Sequence, residues 1–304
     1  MCIRDSSTGN RGAFFYPMPE TVTVAAEAMA TRFEVALHGA AEATLRAAAE
    51  EALAEITRLE SMLSLYQPTS EIAHINTRGA QKPVPVSPEV FTLLEQCVAL
   101  GEQTRGAFDI TLAPLMRCWR FMNDTGAAPS ETDLAEARAH CGWPQLWLNP
   151  EQTSVQLATK GAMLDLGSVG KGYALEQAAA LLQENEFENF LIHGGTSTVC
   201  ARGVQADGAP WRIAVEHPDA DQPPLSIVDL QNESLSVSGI GGKSFIDDAG
   251  LEQGHVIDPR TGRPTQAARV AAVVCQSATV SDAWATALLV APDLELPEGL
   301  RIGS

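Results

Sequence analysis

The chain has 304 residues, of which 45% are hydrophobic, and its 20 Lys and Arg against 38 Asp and Glu give a net charge of −18. This composition is typical of a globular protein that is large enough to bury a core without disulfides or a structural metal. The acidic charge argues against nucleic acid or an anionic membrane surface as a partner, and no apolar run is long enough to predict a membrane span.

The first residues of the chain, 1–20, contain no apolar stretch of the kind found in a signal peptide, so we expect a disordered leader or a start that is not the natural one. Residues 21–304 are then expected to form one domain, although the loose stretches ADGAP and HPDADQPP leave a subdomain boundary near 205–225 open. The six cysteines form no C-x-x-C pair and are interpreted as free thiols, which suit a reducing compartment. The location is therefore expected to be cytoplasmic as the chain is written.

The first half of the chain predicts two strands, three helices and a hairpin, in that order. TVTVAAEAMATRFEVALHG is interpreted as two short strands, and the apolar spacing that follows predicts a long amphipathic helix. Ser87 and Ser130 are placed as N-caps of the next two helices, and a hairpin is expected to turn at Asn149–Pro150.

The second half alternates strands and helices irregularly. FLIHGG, WRIAVEHP, LSIVDL, SLSVSG and ARVAAVVCQ are strand candidates, and several of them come in hairpin-like pairs. This order favours an α+β fold with mixed or antiparallel sheets packed with helices over a doubly wound parallel sheet.

A glycine-rich motif, GAMLDLGSVGKGYALEQAAALL, spans residues 161–182. It predicts an apolar strand from Ala162 to Leu166, a turn containing Gly167, Gly170 and Gly172, and a helix. Glycines let a ligand approach backbone N–H groups, and the helix N-terminus and Lys171 add positive charge, so the motif could hold a phosphate. It is not a Walker A loop, and a structural strand–turn–helix connection explains it equally well.

Two further stretches contain polar residues beside apolar ones. GAFD at 106–109 is either a ligand wall or a turn organised by Asp109. HVIDPRTGRP at 255–264 predicts a hairpin around DPRTG, preceded by His255, which is a candidate base or a structural histidine.

Near the C-terminus, SDAWATALLV places Asp282 and Thr286 four residues apart on an otherwise apolar helix. Residues at this spacing are neighbours on one helix face. Their oxygens suit Mg²⁺, but helix capping by Ser281 or Asp282 and a backbone hydrogen bond from Thr286 explain the pair as well.

Taken together and in order, seven stretches resemble the ApbE family of FAD:protein FMN transferases, from about residue 22 to about residue 290. They are MATRF, LSLYQPTSEIAHIN, GAFDITLAPL, LDLGSVGKGYALE, SVSG, HVIDPRTGRP and SDAWATALLV. The resemblance implies a T-fold-like domain. It also implies Mg²⁺-dependent cleavage of FAD, with transfer of the FMN moiety to a Ser or Thr hydroxyl of an acceptor flavoprotein and release of AMP.

The resemblance also implies roles for individual residues. His255 matches the histidine of the family's HxxDPRTG motif and is the first candidate for the base or substrate-orienting group, and Asp109 is the second. The positions that contact FAD are Met29, Tyr66, Ala107, Phe108, Asp109, Asp165, Lys171 and Val256. The metal positions are Asp282 and Thr286, with Ser168 and Ala285 helping through backbone oxygen.

The chain departs from the family pattern in two places. Gly241 stands where the family usually has Tyr, and Phe245 follows only later. The ending RIGS and the unusual start leave the completeness of both termini open, and if the start is truncated, the resemblance implies a periplasmic or membrane-tethered location. A Mg²⁺-dependent FAD pyrophosphatase and a flavin-binding protein without activity remain alternatives, and the motifs do not identify the acceptor.

Overall fold

A computed structural model of the chain describes residues 20–123, 126–219 and 221–303. The expected leader therefore lies outside the described residues, except for Glu20. The strands are β1 Val22–Ala28, β2 Thr31–Leu37, β3 Val84–Pro85, β4 Leu146–Asn149, β5 Ser154–Leu157, β6 Phe190–Gly194, β7 Thr198–Arg202, β8 Trp211–Val215, β9 Ser226–Leu230, β10 Ser234–Gly239, β11 Ser244–Ile246, β12 Glu252–Gly254, β13 Ile257–Asp258, β14 Arg263–Pro264, β15 Val270–Cys275 and β16 Arg301–Ile302. The helices are α1 Glu42–Leu63, α2 Glu71–Arg78, α3 Pro88–Gln103, α4 Ala113–Cys118, α5 Glu131–Ala139, α6 Gly170–Glu184 and α7 Ala278–Val290.

The main sheet has seven strands in the order β1-β2-β6-β7-β10-β15-β16, and all of its pairs are antiparallel. A smaller sheet has the order β3-β5-β4, and the remaining strands form the hairpins β8–β9, β11–β12 and β13–β14. The α+β class with antiparallel sheets is thereby confirmed.

The period-two pattern of the central strands separates the two faces of the sheet. In β6, Phe190 and Ile192 point into the main core, whereas Leu191 packs on the opposite side with Trp211 and Leu230 of the β8–β9 hairpin. One face is thus covered by helices and the other by a hairpin, so both faces carry apolar residues.

Three helices cover the first face side by side. Helix α1 packs on β1 and β2, α6 on β6 and β7, and α7 on β7, β10 and β15. Helix α6 contacts α1 on one side and α7 on the other, so the glycine-rich motif and the C-terminal motif become neighbours. In the described part of the chain, no helix is both long and apolar enough to cross a membrane.

The predicted helix starts and the hairpin are confirmed by their hydrogen bonds. Ser87 Oγ accepts from Val90 N at 3.3 Å, and Ser130 Oγ accepts from Asp133 N at 3.1 Å. Strands β4 and β5 pair on either side of the predicted turn. The cysteines of the described residues are all free thiols, as expected.

The predicted strand from Ala162 to Leu166 is wrong. This stretch joins no sheet, and only an isolated bridge from Lys160 to Ala162 occurs there. The Asn76 side chain instead binds both backbone groups of Leu164, with Nδ2 donating to its carbonyl at 2.9 Å and Oδ1 accepting from its N–H at 2.7 Å. A side-chain amide thus replaces the neighbouring strand that the apolar pattern led us to expect.

Candidate functional site

A cleft of about 550 Å³ opens where α6, α7 and the end of β10 meet. Its wall is completed by residues around Asp109, by the segment 255–257 and by the residues after β8. Among the described residues, those predicted for the site that line the cleft are Asp109, Asp165, Ser168, Lys171, His255, Val256, Asp282 and Thr286. Residues that are far apart in the chain therefore share one concave surface.

Helices α6 and α7 are in close contact at Gly172. An ideal Cβ built on Gly172 would lie 2.7 Å from Asp282 Cβ and 2.9 Å from the carbonyl carbon of Ala278. The N–H of Gly172 donates to Asp282 Oδ2 at 2.9 Å. Sequence reasoning placed Gly172 where a ligand approaches the backbone; the structure shows that a helix approaches there instead.

Asp282 is 4% exposed, and burial raises the pKa of its carboxyl group while the nearby positive charge of Lys171 and the Gly172 hydrogen bond oppose the shift. One turn further along α7, Thr286 lines the same cleft, and its Oγ1 lies 3.3 Å from Ser238 Oγ of β10. A carboxylate and two hydroxyl groups therefore meet at the junction of two helices and a strand.

The chemistry of these donors fits Mg²⁺. All of them are oxygen atoms, which hard cations prefer, and a cation beside a buried carboxylate would favour its charged form. The described residues contain no cluster of three or more His, Cys, Asp or Glu that could hold a metal by themselves. Asp282, Thr286 and Ser168 could thus supply only part of an octahedral shell, which leaves room for ligand oxygens or water.

The turn before α6 is organised by Asp165. Its backbone N–H donates to Ile110 O at 2.7 Å, and its Oδ1 accepts from Gly167 N at 2.8 Å. Burial raises the pKa of Asp165, although the Gly167 hydrogen bond and the charge of Lys171 act in the opposite direction. Because Lys171 lies in the first turn of α6, its charge adds to the positive end of the helix dipole at the cleft.

Asp109 lies on the cleft wall, and its carboxylate is hydrogen-bonded within its own turn. Its Oδ1 accepts from Thr111 N at 2.7 Å and from Thr111 Oγ1 at 2.6 Å, and Gly142 N donates to Thr111 Oγ1 at 2.6 Å. Burial raises the pKa of Asp109, and these hydrogen bonds lower it in part. The turn-organising interpretation of Asp109 is thereby observed, while the same side chain also reaches the cleft.

His255 is largely buried beside the glycine pair that follows β10. Its backbone N–H donates to Lys243 O at 3.0 Å, and its ring Nδ1 is shut off from solvent without a hydrogen-bond partner among the described residues. Burial lowers the pKa of His255, a hydrogen bond with the Lys243 backbone opposes this shift, and the charges of Lys243 and Lys171 lower the pKa further. The ring is therefore neutral at pH 7 and able to accept a proton.

The remaining predicted residues do not line the cleft in the described structure. Ala107, Phe108 and Ala285 are buried in the core, with at most 1% exposure. Met29 is half-buried in the β1–β2 turn, where its φ is 49°, and Tyr66 is 65% exposed. The geometry thus brings the phosphate-facing candidates and three of the four metal candidates together, but not Ala285 or the FAD candidates Met29, Tyr66, Ala107 and Phe108.

Several cleft residues were missed by sequence reasoning. They are Leu112, Met116, Thr196, Ser197, Ala214, Glu216, His217, Pro218, Ser238 and Arg269, among others. Ser238 belongs to the SVSG stretch that supported the family resemblance, so its motif gave a signal. Arg269 forms an ion pair with Asp219 at 2.7 Å, a contact that no local pattern predicts.

Gly241 stands where the family usually has an aromatic residue, and the structure shows that no nearby aromatic side chain takes its place among the described residues. Gly241 lines the cleft without a side chain, whereas the ring centroid of Phe245 lies 6.3 Å from Trp119 and 5.9 Å from Phe121. Phe245 therefore packs on the α4 region and does not replace the missing aromatic residue in the cleft.

Comparison with known proteins supports the resemblance over nearly the whole chain. The ApbE family model matches residues 29–301. The FAD:protein FMN transferase of Klebsiella pneumoniae (strain 342) is 29% identical over 281 residues, covering 90% of this chain and 79% of that protein. The FAD:protein FMN transferase of Escherichia coli (strain K12) is 30% identical over 254 residues, covering 80% of this chain and 72% of that protein.

Solved structures agree with the sequence comparisons. The crystal structure of the ApbE protein from Thermotoga maritima has a TM-score of 0.82 at 26% identity, covering 89% of this chain and 87% of that one. The apo form of the Pseudomonas stutzeri flavinyl transferase ApbE has a TM-score of 0.78 at 28% identity, covering 91% and 86%. With its fold, its motifs and the cleft in which they meet, the chain belongs to the ApbE family.

Proposed function

We propose that this protein is a FAD:protein FMN transferase that uses Mg²⁺ to cleave FAD at its pyrophosphate. The FMN moiety is passed to a Ser or Thr hydroxyl of an acceptor flavoprotein, and AMP leaves. The family relationship supports the flavin transferase activity, since the curated relatives described above bear that name.

The single observation that carries the finer proposal is the meeting of Lys171, Asp282 and Thr286 in one cleft. A Lys side chain and the N-terminus of α6 provide positive charge for phosphate groups on one side. A buried carboxylate and a hydroxyl provide oxygen ligands for a cation on the other side. In an acidic protein, this local pairing is what a pyrophosphate would need in order to bind.

The residues of the chain have distinct roles in this proposal. Lys171 and the backbone of the glycine turn bind the pyrophosphate and stabilise the charge that develops on it. Asp282 and Thr286, with Ser168 beside them, would hold Mg²⁺, which would supply polarisation of the phosphoryl oxygens when bound. Neutral His255 accepts the proton of the attacking hydroxyl. Its Nδ1 is sealed from solvent, so Nε2 is the ring nitrogen available for the transfer.

Purified protein is incubated with FAD and Mg²⁺, with and without a flavoprotein acceptor that carries a Ser or Thr attachment site. We expect AMP release and an acceptor that gains the mass of FMN less one water, with flavin fluorescence that survives denaturation. AMP with free FMN would instead indicate a pyrophosphatase, and neither product would indicate a flavin-binding protein.

Asp282→Ala is the matched variant for this assay. We expect it to lose AMP release because the buried carboxylate ligand is gone, while circular dichroism retains the wild-type signal. Full turnover of Asp282→Ala at limiting Mg²⁺ would contradict the metal assignment.

A further inference from the structure

The N-terminus of α7 is held by a carboxylate from the neighbouring helix. Glu176 Oε2 accepts from Ser277 Oγ at 2.6 Å, from Thr279 N at 2.9 Å and from Thr279 Oγ1 at 2.8 Å. The Thr279 N–H is one of the first-turn donors that a helix cannot satisfy internally. Ser277 Oγ takes the next one, accepting from Val280 N at 3.1 Å. Glu176 therefore completes the cap of α7, and its charge lies at the positive end of that helix.

The same face of α6 carries a second contact to α7. Glu176 follows Gly172 by four residues, so both lie on one side of the helix. Gly172 N donates to Asp282 Oδ2 at 2.9 Å. The two helices are thus joined at two levels, at the first turn of α7 by Glu176 and further along by Gly172.

This double connection links the two halves of the proposed site. Lys171 belongs to α6, whereas Asp282 and Thr286 belong to α7, and all three line the cleft. About a hundred residues of chain separate the two helices. The position of α7 along α6 therefore depends on side-chain and backbone contacts between them. A slip of α7 along α6 would move the cation ligands relative to the positive charge.

We propose that Glu176 is a positioning residue that sets the placement of Asp282 and Thr286 relative to Lys171, an inference that rests on the proposed function. Groups behind the ligands of a metal typically change metal affinity or activity by about 10- to 100-fold when they are removed. A helix cap without this role would change stability alone.

The test compares Glu176→Ala and Glu176→Gln with Glu184→Ala and Glu184→Gln. Glu184 is the last residue of α6 and is exposed, so its variants remove the same charge from the same helix. Two readouts are measured in the full chain: amide hydrogen exchange of residues 277–282, and the Mg²⁺ concentration that gives half-maximal FAD cleavage. The exchange readout does not depend on activity.

We expect Glu176→Ala to speed exchange at residues 279 and 280 by about tenfold or more, since it removes a charge-assisted bond. The Mg²⁺ requirement should rise by about tenfold or more. Glu176→Gln keeps an acceptor oxygen and should fall between wild type and Glu176→Ala, while both Glu184 variants match wild type.

Other outcomes overturn the inference. If Glu176→Ala matches Glu184→Ala in both amide exchange and Mg²⁺ requirement, the Glu176 contact does not hold the two helices in position. Faster exchange with an unchanged Mg²⁺ requirement would reduce Glu176 to a helix cap. If Glu176→Ala does not fold, an unchanged Mg²⁺ requirement in Glu176→Gln relative to Glu184→Gln decides against it. Wild-type protein that leaves FAD intact would instead refute the proposed function itself.

Discussion

Replacing Gly172 by Ala adds one methyl group at the contact between α6 and α7. The new Cβ would overlap the carbonyl oxygen of Ala278, its nearest neighbour, and would lie 2.7 Å from Asp282 Cβ; since ordinary van der Waals contact begins at 3.4 Å, the helices must separate by at least about 0.7 Å. The same movement would stretch the hydrogen bond between Gly172 N and Asp282 Oδ2 from 2.9 Å to about 3.6 Å, beyond the useful range.

The expected cost of this substitution is about 1–3 kcal/mol for overpacking, offset by up to about 1 kcal/mol from the better helix propensity of Ala. Activity should suffer more than stability, because the displaced atoms include the carboxylate that faces the cleft. We expect Gly172→Ala to lower Tm by several degrees and to raise the Mg²⁺ concentration needed for FAD cleavage.

Gly170→Ala is the matched control for stability. An ideal Cβ on Gly170 has Leu166 Cβ as its nearest neighbour at 4.0 Å, so this position of the same helix has room for a methyl group. Chemical denaturation should give Gly170→Ala a free energy of unfolding equal to or slightly above that of wild type. If Gly172→Ala is as stable as Gly170→Ala and retains the wild-type Mg²⁺ requirement, the argument from close helix contact is refuted.

Three further predictions concern single side chains. Lys171→Ala should weaken FAD binding by about 10- to 100-fold in flavin fluorescence titrations, because it removes a charged hydrogen-bond donor to phosphate; unchanged affinity would contradict this. Burial holds the pKa of His255 below 6.5, so kcat/KM should fall as the pH drops through that lowered pKa, and His255→Gln should lack this acid limb. The unfolded chain binds a proton at His255 more readily than the folded protein does, so stability should also decrease below about pH 6.5, and less steeply in His255→Gln. Cys97 is 2% exposed, so Cys97→Ser should cost about 1–3 kcal/mol in denaturant unfolding by burying a hydroxyl group, and a change in FAD cleavage would argue against a purely structural role.

The sequence predicted best what local chemistry controls. Ser87 and Ser130 cap helices because a side-chain oxygen three residues before a backbone N–H satisfies it in any context. The apolar run from Ala162 to Leu166 led to a wrong strand prediction. Its backbone is hydrogen-bonded to the side chain of Asn76, which lies on a helix 88 residues earlier in the chain. Such a long-range contact leaves no periodic signal.

In the functional site, too, spacing within one helix predicted part of the arrangement, whereas contacts between distant segments could not be predicted. The spacing of Asp282 and Thr286 suggested a metal position because both lie on one helix, and the family resemblance made that interpretation specific. The pairing of Thr286 with Ser238, and of Asp282 with Gly172, depends on how α7 packs against β10 and α6. From one sequence, these relations are invisible, since each half has an ordinary structural explanation by itself.

The pairing of β2 with β6 has a consequence for synthesis of the chain. Phe33 pairs with Gly194, so the N-terminal hairpin of β1 and β2 lies beside a strand that the ribosome makes about 160 residues later. At about 5–20 residues per second, the outer edge of β2 stays unpaired for roughly 8–32 s while α1 to α6 emerge. We therefore expect the backbone edge of β2 to stay unpaired throughout that interval, even after α1 has packed on the face that carries Phe33, Val35 and Leu37, which makes this edge a place for a chaperone to protect.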